Sequence, residues 1–131
     1  MIKKITLGIS LFISTLMIAS PAYADWVKLG DSVVGTSYVD FDRIRTNGGY
    51  VYFWQLTDFS EPKQGMLSFK SYVQGDCEIF RFKYLSTSFY KTPMGEGSGD
   101  TFSPPNPEWT YPSPNSAGEV ILKEVCRRAG L

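Results

Sequence analysis

The chain contains no histidine among its 131 residues. Histidine is the usual general base near neutral pH and the commonest protein ligand for metal ions. Its absence excludes a Ser-His-Asp catalytic site and removes the most frequent metal ligand. We therefore expect no catalytic site, no metal site and no cofactor, and we predict that the protein is not an enzyme.

An excess of charge of one sign is also lacking, because 13 lysines and arginines balance 13 acidic residues. Nucleic-acid binding requires a strongly basic surface, and electrostatic attachment to an anionic membrane requires a polybasic segment. The charge balance therefore argues against nucleic acid as a partner and against attachment to a membrane surface.

Long apolar segments are lacking except near the start of the chain. Two lysines precede an apolar run at 5–19, and Ala22 and Ala24 place small residues at the positions that signal peptidase requires. The run is shorter than the roughly 20 apolar residues of a membrane-spanning helix, so a retained anchor is the weaker interpretation. We expect residues 1–24 to be a signal peptide that is cleaved before Asp25, which leaves no transmembrane segment.

Cysteine is scarce, since Cys77 and Cys126 are the only two in the sequence. An exported chain meets an oxidising environment, and two cysteines can pair in only one way. A redox-active pair would need closely spaced thiols with a lowered pKa, and these two are far apart in the chain. We expect a structural disulfide, which would stabilise the fold by on the order of 4 kcal/mol in the chain-entropy model.

Residues 25–131 are enough for one domain, and their dominant period of two indicates β-strands. The segment 50–57 is rich in aromatic and β-branched residues, and its two apolar faces predict a central strand that is covered on both sides. Shorter strands are expected at 26–29, 36–39 and 86–91.

A hairpin is predicted at Gly75-Asp76, because glycine in the first position suits a two-residue type II′ turn. Its two strands would be 67–74 and 77–85. That turn would place Lys70 opposite Arg81, and every side chain would change faces if a bulge shifted the register by one residue.

Lys70, Arg81 and Lys83 share one face of this predicted hairpin. Like charges that lie directly opposite each other cost some stability. We therefore regard these three residues as candidates for binding a protein partner with negative charge. Ordinary solvated residues on a sheet face are the alternative interpretation.

A helix is predicted near the C-terminus. Ser116 and Glu119 form a capping box. An apolar stripe with helical period follows, made of Ile121, Leu122, Val125, Cys126 and Ala129. Because Cys126 lies on this stripe, a bond to Cys77 would clamp the helix over the hairpin.

The segment 95–114 holds three glycines and five prolines and cannot form regular structure. A proline-rich ligand and an ordered connecting loop both fit this composition, and we favour the loop, with Trp109 and Tyr111 anchoring it to the body. Asp40 and Asp42 stand two residues apart, but a calcium or glycosidase site needs more ligands or carboxylates from separate strands. We interpret them as turn-forming residues.

A series of short motifs follows a fixed order along residues 25–131. They are Trp26-Val-Lys, Tyr38-Val-Asp40, Ile44-Arg45, Gly49-Tyr-Val, Trp54, Asp76-Cys77, Tyr84-Leu-Ser86, Pro93-Met-Gly95, Glu108-Trp-Thr-Tyr111, Ala117-Gly-Glu and Val125-Cys126. In this order they resemble the surface-adhesin protein E family of Gram-negative bacteria. The resemblance implies a small α+β domain, with an antiparallel β-sheet packed against one C-terminal α-helix and a single disulfide.

The resemblance also implies a non-catalytic surface protein that binds host extracellular-matrix and plasma proteins, such as vitronectin and laminin. Those adhesins are lipoproteins with a cysteine at the cleavage site, whereas this chain has Asp25 there. No lipid can be attached at that residue, so we expect an exported periplasmic or secreted protein that is not a lipoprotein. A soluble periplasmic structural or stress-related protein without a host ligand is the alternative function.

Overall fold

Seven strands form one antiparallel sheet in the computed structural model, which describes residues 24–131. The predicted signal peptide lies, apart from Ala24, outside the described residues. The elements are β1 (Val27–Asp31), β2 (Gly35–Val39), β3 (Arg45–Asn47), β4 (Tyr50–Lys63), β5 (Met66–Asp76), β6 (Arg81–Tyr90), β7 (Asp100–Phe102) and the helix α1 (Ala117–Arg128). Short 3-10 turns occur at Phe41–Arg43 and Pro93–Gly95. The predicted α+β class is confirmed.

The long strand β4 organises the sheet, whose order is β1-β2-β4-β5-β6-β7. On one side β4 pairs with β5, and on the other side it pairs with β3 near its start and with β2 farther along. The predicted central position of this strand is correct, and the strand continues well beyond the predicted segment 50–57.

The two faces of the sheet are covered to different extents. Val51 and Phe53 of β4 point to the face that we call the helix face, where they are buried with Val73 and Phe82 against α1. The alternate residues of β4 begin with Tyr50 and point to the opposite face, which we call the aromatic face. The rings of Tyr50, Tyr52 and Trp54 are partly buried, whereas Leu56 on the same face is fully buried, so the predicted cover on this second face is incomplete.

The helix α1 begins as the capping motif predicts. The Ser116 side chain accepts a hydrogen bond from the Glu119 backbone N–H at 3.2 Å, and four residues of the predicted apolar stripe are buried. The Glu119 carboxylate accepts from the N–H of Asn115 at 3.1 Å, one residue before the position that a standard capping box would use. No helix among the described residues is long and apolar enough to cross a membrane.

The predicted turn at Gly75-Asp76 is wrong, because β5 continues through both residues. Asp76 pairs with Arg81, so the connection spans 77–80. A Cβ atom on Gly75 would lie 2.8 Å from Cδ1 of Leu122 and 2.9 Å from Cγ1 of Val51. Glycine is therefore needed here for the close approach of α1 to the sheet and not for a turn.

The connection is closed by the Asp76 side chain. Its Oδ1 accepts hydrogen bonds from the N–H groups of Glu78 and Ile79, both at 3.1 Å, as aspartate commonly does in turns. Phe80 takes a left-handed conformation with φ 64°, and its N–H donates to the carbonyl of Asp76 at 2.9 Å. The turn at 77–80 is therefore stabilised by the side chain of Asp76, whereas the prediction of a turn rested on Gly75.

The disulfide between Cys77 and Cys126 is present, with Cα atoms 5.8 Å apart. Cys77 is the first residue of the connection, and Cys126 lies on the buried stripe of α1. The bond therefore fixes the C-terminal half of the helix to the end of the sheet, as the sequence predicts.

The proline-rich segment 95–114 connects β6 to α1 and runs along the outer edge of β6, but the expectation that it contains no regular structure is wrong, because β7 lies within it. It starts as β7, whose residues pair with Thr87–Phe89, and returns to β6 at Thr110, which exchanges two backbone hydrogen bonds with Phe82. The residues between these two contacts contain Pro104, Pro105 and Pro107. Because proline has no N–H to donate, this segment closes the edge without offering a new strand for pairing.

Replacing Gly75 with alanine tests the close approach of the helix. We expect Gly75→Ala to lower the free energy of unfolding by about 1–3 kcal/mol, because the added methyl group overlaps Leu122 and Val51. Chemical denaturation of the oxidised protein measures this loss. Gly30→Ala is the matched control, since no atom lies within 4 Å of its added Cβ, and equal losses in both variants would contradict the packing argument.

Candidate functional site

Two groups of aromatic rings lie on the aromatic face. Trp54 lies 4.9 Å from Tyr72, and Tyr52 lies 6.3 Å from Tyr72, measured between ring centroids. Farther along the same face the ring of Trp109 lies 5.6 Å from that of Tyr50. All five rings keep part of their surface exposed to solvent. Partly exposed tyrosine and tryptophan side chains are typical of surfaces that bind other macromolecules.

Arg81 and Lys83 lie together beneath Trp109. The Thr110–Phe82 bridge sets Trp109 beside Lys83, and the alternation of β6 puts both cations on the aromatic face. Arg81 Cζ lies 4.1 Å and Lys83 Nζ lies 4.4 Å from the Trp109 ring centroid, which is the geometry of a cation–π interaction. Trp109 therefore anchors the proline-rich loop, as predicted, by stacking on two cations, whereas Tyr111, the second predicted anchor, is 61% exposed.

Lys70 shares this face but lies elsewhere on it. The predicted pairing of Lys70 with Arg81 is wrong, because Lys70 pairs with Ser88. It stands four residues along β5 from Gln74, the partner of Lys83, which is a distance of about 13 Å. Its Nζ lies 4.9 Å from the Tyr90 ring centroid, and its methylene groups pass under Gly95. The structure thus brings Arg81 and Lys83 together and sets Lys70 apart.

The aspartates of this face already have internal partners. Asp76 Oδ2 lies 3.0 Å from Arg81 Nε, and Asp40 Oδ2 lies 3.3 Å from Arg43 Nε. Asp40 Oδ1 also accepts from the N–H of Asp42, which supports the interpretation of Asp40 as a turn residue. In contrast, Lys83 has no acidic side chain within ion-pair distance in residues 24–131. The face therefore offers cationic charge to a partner.

A shallow depression adjoins the rings near the start of the described chain. It has a volume of about 180 Å³ and is lined by Trp26, Asp40, Arg43, Trp54 and Lys70, among others. A second depression of about 640 Å³ continues from Trp26 and Lys70 toward the 3-10 turn at 93–95. Within the described residues, no three His, Cys, Asp or Glu side chains cluster in a way that could hold a metal ion.

The sequence of the chain from residue 26 to residue 127 matches the pattern of the surface-adhesin protein E family. The chain belongs to this family. No sequence among the curated proteins matches it.

Crystal structures of protein E from Haemophilus influenzae share the fold of this family member. In crystal form II the identity is 18%, with 85% of this chain and 94% of that chain covered and a TM-score of 0.62. The structure from a non-typeable strain gives 17% identity, coverage of 85% and 81%, and a TM-score of 0.61. At this level of identity the likeness establishes the fold alone.

Sequence reasoning missed most of the aromatic face. Arg81 and Lys83 were identified by their charge, whereas Tyr50, Tyr52 and Trp54 were assigned to a strand covered on both sides and Trp109 was expected only to anchor the loop. The available signal was the tyrosine and tryptophan content of alternate positions in β4. Both residue types carry a polar group that favours half-exposed sites, unlike the valine and phenylalanine of the intervening positions.

The pH dependence of stability tests the role of Asp76. Burial raises the pKa of this carboxyl, but the hydrogen bonds from Ile79, Arg81 and Glu78 outweigh burial, so the pKa lies below its ordinary value of 3.8. Because the pKa of Asp76 is lower in the folded than in the unfolded state, its ionised carboxylate stabilises the fold above pH 3.8. This contribution is lost as the pH falls through the pKa of Asp76 in the folded state.

We therefore expect Asp76→Asn to lower the free energy of unfolding by about 1–3 kcal/mol at pH 7 and to have much less effect near pH 2. Thermal unfolding at both pH values measures the difference. Asp42→Asn is the control, because Asp42 is exposed and forms no ion pair with any of the residues 24–131. A loss at Asp76 that is equally large at both pH values would contradict the assignment.

Proposed function

We propose that this member of the surface-adhesin protein E family is a non-catalytic exported module that binds protein partners through its aromatic face. The observation that supports the proposal most directly is the contact of the partly exposed Trp109 ring with two cations, Arg81 and Lys83. Tryptophan, tyrosine and arginine are the residues most enriched among the energetically dominant contacts of protein interfaces.

The charge of the face indicates the kind of partner. Its aspartates are engaged internally, whereas Lys83 is free to pair with a carboxylate of a bound protein. The partner should therefore present acidic side chains beside apolar surface. By the resemblance noted above, extracellular-matrix and plasma proteins of the host are the first candidates, and Lys70 would contribute at the other end of the face.

Charge reversal on the aromatic face tests this proposal. We expect Lys83→Glu to weaken binding to an immobilised matrix or plasma protein, such as vitronectin or laminin, by about tenfold or more. We also expect raised salt concentration to weaken the binding of the unmodified protein. Biolayer interferometry measures both effects. Lys123→Glu is the matched control, because Lys123 is an exposed lysine on α1.

Equal effects of Lys83→Glu and Lys123→Glu would contradict a role for the aromatic face. An absence of binding to every matrix, plasma and envelope protein tested would contradict the proposed function itself. A melting temperature near that of the unmodified protein would show that the Lys83 variant is folded.

A periplasmic role without a host ligand is the second candidate. It is favoured by Asp25, which stands at the expected cleavage site where a lipoprotein has cysteine. Digestion of intact cells with an added protease distinguishes the adhesin function from the periplasmic function. The adhesin proposal predicts that the mature domain is cleaved on intact cells or found in the medium. Complete protection, with the domain in the soluble periplasmic fraction, would favour the second candidate and direct the search for partners to the envelope.

A further inference from the structure

A buried carboxylate lines the smaller depression on the aromatic face. Asp40 is 1% exposed and shares this depression with Trp26, Arg43, Trp54 and Lys70, among others. Its Oδ2 atom accepts no hydrogen bond from any residue in 24–131. Buried polar atoms are almost always hydrogen-bonded, because an unpaired one costs stability. Asp40 Oδ2 therefore indicates that a hydrogen-bond donor enters this depression.

Arg43 compensates the charge of Asp40 only in part. Its Nε lies 3.3 Å from Oδ2, which is within ion-pair distance, but the contact lacks the geometry of a hydrogen bond. The Arg43 side chain is 47% exposed, so water weakens its attraction to the carboxylate. Nζ of Lys70 lies 4.9 Å from the ring centroid of Tyr90 and forms no ion pair within residues 24–131. The carboxylate can therefore accept a second cationic donor.

The chain enters the domain at this depression. Ala24 and Trp26 both line it, so the backbone nitrogen of Asp25 lies between two lining residues. Hydrolysis of the peptide bond before Asp25 consumes one water, forms a carboxylate on Ala24 and leaves an α-ammonium on Asp25. A neutral amide with one N–H thereby becomes a cation with three donors.

The pairing of β1 with β2 gives the same placement. Val27 pairs with Val39, and in an antiparallel pair the residue before Val27 lies beside the residue after Val39. Trp26 is therefore the neighbour of Asp40. Neighbouring strands lie about 4.8 Å apart, and consecutive Cα atoms lie about 3.8 Å apart. The nitrogen of Asp25 is thus within reach of the Asp40 side chain.

The other charges around the depression do not outweigh Asp40. Arg43 and Lys70 repel an ammonium, whereas the carboxylates of Asp25 and of Glu96, which lines the adjoining depression, attract it. Asp25, Arg43 and Glu96 are exposed, so water and salt screen their charges. Asp40 is buried, and its attraction therefore acts through the least solvent.

We propose that signal-peptide cleavage creates an ion pair between the α-ammonium of Asp25 and the buried carboxylate of Asp40. The proposal rests on the expected cleavage before Asp25 and requires no partner protein. The pair supplies the donor that Oδ2 lacks, and it fixes the first residues of the mature chain to the sheet. Because Trp26 follows directly, its ring is then held beside Trp54. Removal of the signal peptide thus completes the β1 end of the aromatic face.

Thermal unfolding tests the ion pair. The reference is the oxidised protein that begins at Asp25, and the variant carries Gly-Ser before Asp25, which moves the α-ammonium away from Asp40. We expect the extension to lower the melting temperature by about 4 °C or more at about pH 6. An α-ammonium ordinarily loses its proton at about pH 8, and an adjacent carboxylate raises that pKa. The stabilisation is therefore present below about pH 8 and lost as the pH rises through the raised pKa, so the extension should have little effect at about pH 11.

Substitution of Asp40 identifies the partner of the ammonium. We expect the Gly-Ser extension to lower the melting temperature of Asp42→Asn as much as that of the unmodified protein, and that of Asp40→Asn by much less. Asp42 is the matched control, because it is an exposed aspartate in the 3-10 turn that Asp40 caps. Equal effects in the two variants, or no effect on the unmodified protein at about pH 6, would overturn the proposal.

The reactivity of the α-amino group tests the pair without relying on the stability of a variant. Only the unprotonated amine reacts with acetic anhydride, and a pKa raised by one unit leaves about tenfold less of it at neutral pH. In protein purified from the periplasm or the medium, we expect mass spectrometry to identify Asp25 as the first residue. We expect its amine to be acetylated about tenfold more slowly than after unfolding in urea.

Asp40→Asn should remove this difference in acetylation rate, and Asp42→Asn should retain it. A mature chain that begins at another residue contradicts the proposal, and so do equal acetylation rates in the folded and the unfolded protein.

Discussion

The rest of the structure depends on the close packing of α1 against β5. At Gly75 the helix approaches the sheet so closely that a methyl group would overlap Leu122. The disulfide holds this contact at the next turn of the chain, where Cys77 follows the strand. Both features limit where the helix can lie, because a 12-residue helix fixed at this end cannot also reach the far end of the sheet. Phe89 lies on the helix face at the end of the sheet that α1 does not reach, and it is therefore 40% exposed.

The sequence predicted features that depend on local patterns. The cap at Ser116, the stripe of α1 and the Cys77–Cys126 bond are of this kind, because each rests on residue type and spacing. The register of β5 and β6 was not predicted, because glycine at position 75 suits both a turn and a close contact. The contact with Leu122 decides between these two roles of Gly75, and Leu122 is distant in sequence and approaches Gly75 only in the folded protein.

The candidate site likewise combines features that local sequence patterns predict with features that depend on the tertiary fold. Arg81 and Lys83 are two residues apart in one strand, so they share a face in any register. Lys70 belongs to another strand, and its distance from them follows from the register alone. The position of Trp109 depends on the path of a proline-rich loop, and the apolar residues of this loop show no helical or strand periodicity from which that path could be predicted. Two hydrogen bonds between Thr110 and Phe82 determine that path, and neither residue type predicts them.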